Sequence, residues 1–227
     1  LIYWFKKLGI NIQEAYAMTE NCCYSHVTLN DAIKVGSVGK SLPHCEVKLS
    51  NENEIMIKHE ALMDGYYKSE KLSNDTIKNG WLYTGDVGEI DNEGYLKITG
   101  RVKDIFKTAK GEYISPSTIE MKLSEDNYIE QVCIVGRGLT QPIAIITLSS
   151  QSKKFNKIEL DEYFKKSLIS FNENMVNYEK ISKFVILKRE WTVENNFLTP
   201  SMKIKRNTIE RAYSNKYFDW DSSSQTV

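Results

Sequence analysis

Polar and apolar positions follow two regimes along this chain. Through the first hundred residues they read mostly as strands and turns. Cys45 to Leu49 alternates, and Glu54-Ile55-Met56-Ile57-Lys58 is apolar and rich in β-formers. Val87 to Ile90 and Tyr95 to Ile98 flank Asp91-Asn92-Glu93-Gly94. That pattern predicts a hairpin, with Gly94 free to take a positive φ. The acidic loop reads as a turn, because a calcium loop needs further oxygen ligands at fixed spacing.

After Gly100 the period changes. Ser115-Pro116-Ser117-Thr118-Ile119-Glu120 opens a helix, with Pro116 in its first turn and Ser115 as cap. Ile129 to Val135 and Ile143 to Leu148 read as buried strands, and Lys183 to Lys188 as another. Leu160, Tyr163, Phe164, Leu168 and Phe171 recur at helical spacing and predict one apolar stripe for a core. A last helix is expected from Lys205 to about Tyr213. These elements predict a small α+β domain of about 120 residues, large enough to fold alone. Its boundary is expected near Arg101 to Lys103, giving domains 1–100 and 101–227. The polar tail Ser222-Ser223-Ser224-Gln225-Thr226 reads as a frayed end.

Composition narrows the function classes. The 227 residues are 41% hydrophobic and 26% charged, which suits a folded domain. Thirty basic residues balance thirty acidic ones, so nothing favours a general binder of nucleic acid or anionic membranes. Cys22, Cys23, Cys45 and Cys133 lack the two-residue spacing of a zinc or redox motif and are expected to be reduced, partly buried thiols of a cytoplasmic protein. No run of about 18 apolar residues predicts a membrane span. The chain opens on Leu1 and lacks the pattern of a signal peptide, which fits a piece of something longer.

Four segments carry chemistry. They are Tyr16-Ala17-Met18-Thr19-Glu20, Gly80-Trp81-Leu82-Tyr83-Thr84-Gly85-Asp86, the stretch from Gly100-Arg101-Val102-Lys103-Asp104 through Lys110-Gly111-Glu112-Tyr113 to Pro116, and Leu198-Thr199-Pro200-Ser201-Met202-Lys203-Ile204-Lys205-Arg206. In this order the chain resembles the adenylate-forming (AMP-binding) enzymes, and most of all the C-terminal portion of long-chain fatty acyl-CoA synthetases. Asp64-Gly65-Tyr66-Tyr67 is similar to the Gly-Tyr-Tyr segment that lies upstream in that family.

The resemblance implies roles. Tyr16 would stack on adenine, Thr19 would meet the α-phosphate, and Glu20 would hold magnesium. Ala17 stands where Gly is commoner, adding a methyl and restricting the backbone. Asp86 would accept both ribose hydroxyls, which a carboxylate can do. Arg101 would contact ribose or phosphate, Lys103 would be the hinge, and Gly111 would lie in the loop entering the thiol-transfer site. Lys203 would be the catalytic lysine, with Lys205 as the rival assignment. A flexible ammonium suits a charge that moves from attacking to leaving group.

The implied fold is the β-rich end of a large N-terminal domain, a distorted barrel, followed by a mobile α+β lid with a short mixed sheet and flanking helices. The implied reaction joins a fatty acid to CoA through an acyl adenylate, using ATP and Mg2+. The family's Gly/Ser/Thr-rich phosphate loop and most of its acyl pocket are absent from the sequence. The missing N-terminal region of the same enzyme would supply them, and the fragment alone is expected to be inactive. Localisation is expected to be cytoplasmic, with peripheral membrane association left open. Two other readings stand beside this one. One is a ligase loading a carrier protein, the other a non-catalytic fragment that binds a partner.

Overall fold

A computed structural model describes residues 1–222. Of the tail read as frayed, only Ser222 falls within them. The chain forms two compact units, Leu1–Lys103 and a second beginning at Asp104. The division falls three residues beyond Gly100. Arg101 is still paired with Asp86 in a strand ladder, so a cut at residue 100 would break that ladder.

The first unit opens with a short helix, α1 (Ile2–Lys7), which buries none of its residues. Strands β1 (Ala15–Tyr16), β2 (His26–Val27) and β3 (Lys40–Ser41) make a small antiparallel sheet. A second antiparallel sheet holds β4 (Glu46–Leu49), β5 (Glu54–Lys58), β6 (Ile77–Lys78), β7 (Trp81–Ile90) and β8 (Leu96–Arg101). Helix α2 (Glu70–Thr76) precedes β6. One edge of β7 pairs with β5, while β6 and β8 share the other. Val38 N–H donates to Leu96 O, and Leu96 N–H to Gly39 O, so the sheet curls on from β8 towards β3. Inside the curl lie Ile55, Ile57, Leu82 and Leu96, all fully buried, with Tyr16 and Cys45. The hairpin expected around Asp91–Gly94 joins β7 to β8. Gly94 N–H donates to Asp91 O, Gly94 has φ +84°, and the Asp91 carboxylate accepts from the Glu93 and Tyr95 amides.

A bulge in β7 matters most for function. Met56 pairs with Tyr83, but Glu54 pairs with Val87, so Thr84-Gly85-Asp86 holds extra residues opposite β5. Gly85 has φ +74°, which a side chain would strain. Its N–H leaves the ladder and donates to Glu54 Oε1 at 2.9 Å. Bulges re-aim neighbouring side chains, and this one presents Asp86.

The second unit is a three-stranded sheet covered on both faces. Strands β9 (Phe106–Lys107) and β10 (Tyr113–Ile114) form a hairpin before it. Strand β11 (Ile129–Val135) runs antiparallel to β12 (Ile143–Leu148), which runs parallel to β13 (Phe184–Leu187). That is the short mixed sheet expected. Side chains alternate across it. Ile134, Ile146 and Phe184 face α3 (Pro116–Leu123) and α4 (Lys157–Glu173). The expected stripe of Leu160, Tyr163, Phe164, Leu168 and Phe171 packs on this face. Cys133, Ile145 and Val185 face α5 (Arg206–Tyr213) and α6 (Tyr217–Ser222). Burying two faces makes strands read as continuous apolar runs rather than alternating ones. Helix α4 carries a capping box, in which Asn156 accepts from the Ile158 and Glu159 amides and Glu159 answers to the Asn156 amide.

Candidate nucleotide site and lysine hairpin

The first unit gathers Tyr16, Asp86 and Arg101 from three strands. Tyr16 Oη donates to Asp86 Oδ2 at 2.8 Å, and Arg101 Nε donates to Asp86 Oδ1 at 2.9 Å. Behind them, the Asp86 amide donates to Thr84 Oγ1 at 3.2 Å, and that hydroxyl donates to Ile55 O at 2.8 Å. Asp86 is only 8% exposed, so its carboxylate is fixed by neighbours rather than by water. The Arg101 side chain is 66% exposed, and its bond to Asp86 uses Nε alone. An exposed arginine adds little to stability, but it leaves donors for an anionic ligand. Burial, first, and the facing Asp86 carboxylate push the Tyr16 phenol well above its ordinary range, with Thr84 opposing. Tyr16 therefore remains a donor at neutral pH. Its ring is buried and tilts against His26 at 6.1 Å.

Thr19 and Glu20 lie on a 3-10 turn, Thr19–Asn21, just after β1. Asn21 is fully buried, and its Oδ1 accepts from the Met18 amide, tying the turn's entry to its end. Cys22 and Cys23 close it with φ of 51° and 57°. Ala17 is exposed and is not among the residues with positive φ, so the methyl that replaces the commoner glycine is tolerated. Glu20 is held twice: its carbonyl accepts from the Met63 amide at 2.9 Å, and its Oε1 from Tyr66 Oη at 2.8 Å. Glu20 Oε2 has no hydrogen-bond partner among the described residues. No cluster of three or more His, Cys, Asp or Glu side chains suited to a metal occurs among them. One open carboxylate oxygen nevertheless fits Mg2+, which takes one or two carboxylates and completes its shell with phosphate and water.

Lys103 is exposed on a 3-10 turn, Val102–Asp104, at the division between the units. Gly111 lies at the tip of the β9–β10 hairpin with φ +88°. Its amide donates to Thr108 O, as in a turn closed by a left-handed residue.

Lys203 belongs to the second unit, on a tight hairpin. Leu198 bridges Ile204, Thr199 N–H donates to Lys203 O, and Lys205 N–H donates to Phe197 O. Pro200 sits in the turn, and Met202 has φ +62°. The rival lysines differ here. Lys205 Nζ donates to Asn196 Oδ1, whereas the exposed Lys203 ammonium has no hydrogen-bond or ion-pair partner among the described residues. The hairpin is anchored at its exit by Arg206. Its Nη2 reaches both oxygens of Glu120 at 2.6 and 2.7 Å, and its Nη1 donates to Ile134 O at 2.7 Å. Asp104 Oδ1 lies 3.7 Å from Arg206 Nε. Burial works against the Arg206 charge, but the carboxylates of Glu120 and Asp104 outweigh it, and the guanidinium stays protonated. The Cys133 thiol is itself pushed up by burial to about 12 and stays neutral.

Residues 1–67 match the model of the AMP-binding enzymes, and residues 103–217 match that of the AMP-binding enzyme C-terminal domain. The chain belongs to the AMP-binding enzyme family. A long-chain-fatty-acid–CoA ligase of Mycobacterium bovis is 27% identical over 93% of this chain and 38% of its own length. Fatty acyl-CoA synthetase B of Dictyostelium discoideum is 30% identical over 92% of this chain and 35% of its own. The chain thus spans little more than a third of these curated relatives. Among solved structures, the O-succinylbenzoate coenzyme A synthetase of Bacillus subtilis in complex with AMP has a TM-score of 0.72 at 27% identity, over 92% of this chain and 43% of that one.

The residues expected at the site were legible as motifs, and the contacts that hold them were not. Thr84 lies two residues before Asp86, which is a strand signal that both serve one face, but the bulge hides it. Glu120 as the partner of Arg206 is 86 residues away in sequence and has no local signal.

Proposed function

We propose that this chain is the C-terminal part of an ATP-dependent acyl-CoA synthetase that activates a long-chain fatty acid as its adenylate and transfers it to CoA. The observation that carries the reading is the Tyr16–Asp86–Arg101 constellation, a buried carboxylate held between a phenol and an open guanidinium. Asp86 accepts the ribose hydroxyls through its remaining lone pairs, and Arg101 turns its free nitrogens to ribose or phosphate. Thr19 meets the α-phosphate. Glu20 would hold Mg2+ with Oε2, and the ion would supply neutralisation of charge at the phosphates. Lys203, whose ammonium has no partner among the described residues, reaches the carboxylate and α-phosphate during adenylation. Lys103 serves as the hinge by which the lid, residues 104 onward, changes pose, and Gly111 brings its loop to the thiol-transfer step. Alone, the chain carries only one wall of the nucleotide site and is inactive.

The phosphate loop and acyl pocket come from a preceding region of the same enzyme, so fatty acid, ATP and CoA are its partners. The four free thiols support a cytoplasmic enzyme, with peripheral membrane contact left open, and among the described residues no helix is long and apolar enough to cross a membrane.

The test is ATP–pyrophosphate exchange and thioester formation by the complete enzyme with palmitate, octanoate and acetate. Exchange that depends on the long-chain acid and yields acyl-CoA is expected. Transfer to a carrier protein but not to CoA would move the reading to a carrier-loading ligase. Absence of exchange with every acid would leave a non-catalytic protein.

A further inference from the structure

The loop Asp64-Gly65-Tyr66-Tyr67 has so far no role of its own. Its two tyrosines are adjacent in sequence and opposite in environment. Tyr67 is 87% exposed, with Lys68 over its ring. Tyr66 turns inwards, and its hydroxyl donates to Glu20 Oε1 across 46 residues of sequence. We propose that Tyr66 is a positioning residue for Glu20, fixing which carboxylate oxygen is offered to the metal that accompanies the nucleotide. The inference rests on the reading of Glu20 given above.

Three observations carry it. The first is the division of labour on the carboxylate. Tyr66 takes Oε1, and Oε2 has no partner among the described residues. A carboxylate free to rotate would offer either oxygen, whereas one pinned by a phenol offers the same oxygen each time. The second is that Tyr66 is itself fixed. Its amide donates to Ser73 Oγ at 2.7 Å, and Ser73 Oγ donates to Ser69 O at 2.9 Å, so α2 is the platform for the loop. The loop comes so near that platform that a Cβ on Gly65 would lie 2.8 Å from Ser73 Oγ. Glycine at 65 permits the approach that brings Tyr66 to Glu20. The third is that the main chain is clamped as well, because Met63 N–H donates to Glu20 O at 2.9 Å. Backbone and side chain of Glu20 are thus both held by residues 63–66.

Outer partners of metal-binding carboxylates set orientation, and losing one typically costs about 10–100-fold in metal affinity or activity. The experiment is calorimetric titration of Mg2+ into the complete enzyme saturated with ATP, without fatty acid. Wild type is compared with Tyr66→Phe, Tyr67→Phe and Glu20→Gln. Tyr66→Phe is expected to weaken Mg2+ binding about tenfold, to raise the Mg2+ concentration needed for half-maximal exchange, and to leave the fatty-acid KM unchanged. Tyr67→Phe should match wild type. If Glu20→Gln weakens Mg2+ binding and Tyr66→Phe does not, the positioning role is overturned while the reading of Glu20 stands. If Glu20→Gln has no effect, the reading of Glu20 fails and takes this inference with it. Should Tyr66→Phe fold poorly, the wild-type enzyme labelled with 13C at the tyrosine Cζ serves instead. Mg2+·ATP should shift the Tyr66 resonance in wild type and not in Glu20→Gln, and an unmoved Tyr66 resonance in wild type would refute the proposal.

Discussion

Asp86 in the first unit has both carboxylate oxygens engaged, by Tyr16 and Arg101, and is nearly buried. Lys203 in the second stands on an exposed hairpin, and its ammonium meets no partner among the described residues. One group is organised before any ligand arrives, and the other is free to travel. In the proposed roles, a carboxylate that receives a ribose in one geometry gains from being held, because preorganised dipoles need no reorganisation during reaction. A lysine that must follow moving charge gains from a flexible stem. The hairpin compensates at its base. Arg206, three residues after Lys203, is locked to Glu120 and to the backbone of β11.

The largest effect should come from that lock. Removing one partner of a buried ion pair leaves an uncompensated charge and costs about 3–5 kcal/mol. Arg206→Met should lower stability by that order in urea denaturation of the 227-residue chain. Adding Glu120→Gln removes the stranded charge and keeps an acceptor for the Ile134 amide, which donates to Glu120 Oε1 at 2.7 Å. The double variant should therefore be more stable than Arg206→Met alone. Equal stability of all three proteins would mean that the hairpin is not anchored through this pair.

Next is the contrast between the two lysines. Lys203→Ala in the complete enzyme should lower adenylation by about 10²–10³-fold, the usual loss of a donor to developing charge. It should leave thioester formation from a supplied acyl adenylate largely intact. Lys205, tied to Asn196, should tolerate alanine within about twofold, as surface changes usually do. Equal loss of both half-reactions in Lys203→Ala, or a larger loss in Lys205→Ala, would reverse the assignment.

Local pattern made much of the fold legible. The alternation at 45–49, the turn at 91–94 and the stripe on α4 each depend on residues close in sequence, and each formed as expected. Helices α1 and α2 were not anticipated, because neither buries a residue and so neither has an apolar period to read. Helix α6 is a short aromatic segment, and its placement depends on Tyr217 and Trp220 packing beneath the sheet. Motifs marked the groups expected to meet a ligand. Thr84 and Tyr66 lie within quoted motifs, but no local pattern tied them to Asp86 and Glu20 or tied Glu120 to Arg206, because a side chain that supports another across the fold needs only to be in reach, and many sequences satisfy that.

The rigid region should also respond to acid. His26 is buried, its Nδ1 lies 2.7 Å from Ser25 Oγ, and burial lowers its pKa from 6.5 to about 4. Above pH 6.5 the ring is neutral whether the chain is folded or not. Below it the unfolded chain takes up a proton that the native ring accepts only near pH 4. Stability should therefore fall through that window, by about 3 kcal/mol for this group. The wild-type minus His26→Gln difference in urea midpoint, followed from neutral pH downwards, isolates it from the carboxylates. A difference that does not change with pH would show that His26 is solvated in solution.

The smallest effect is the sharpest test of how the organised site works. Tyr16→Phe keeps the ring and removes only the hydroxyl that holds Asp86 Oδ2. A hydrogen bond to a charged group is worth about 1.5–3 kcal/mol, so ATP affinity of the complete enzyme should fall by about 10- to 150-fold. The loss should be selective. If the phenol serves to hold Asp86 against the ribose, the preference for ATP over 2′-deoxy-ATP should narrow in Tyr16→Phe, because Asp86 is then free to turn towards Arg101. If instead the ring acts on adenine, both nucleotides should bind Tyr16→Phe as they bind wild type, because phenylalanine presents the same face. Reduced affinity with an unchanged ratio would place the hydroxyl's role in holding the strands together rather than in reading the sugar.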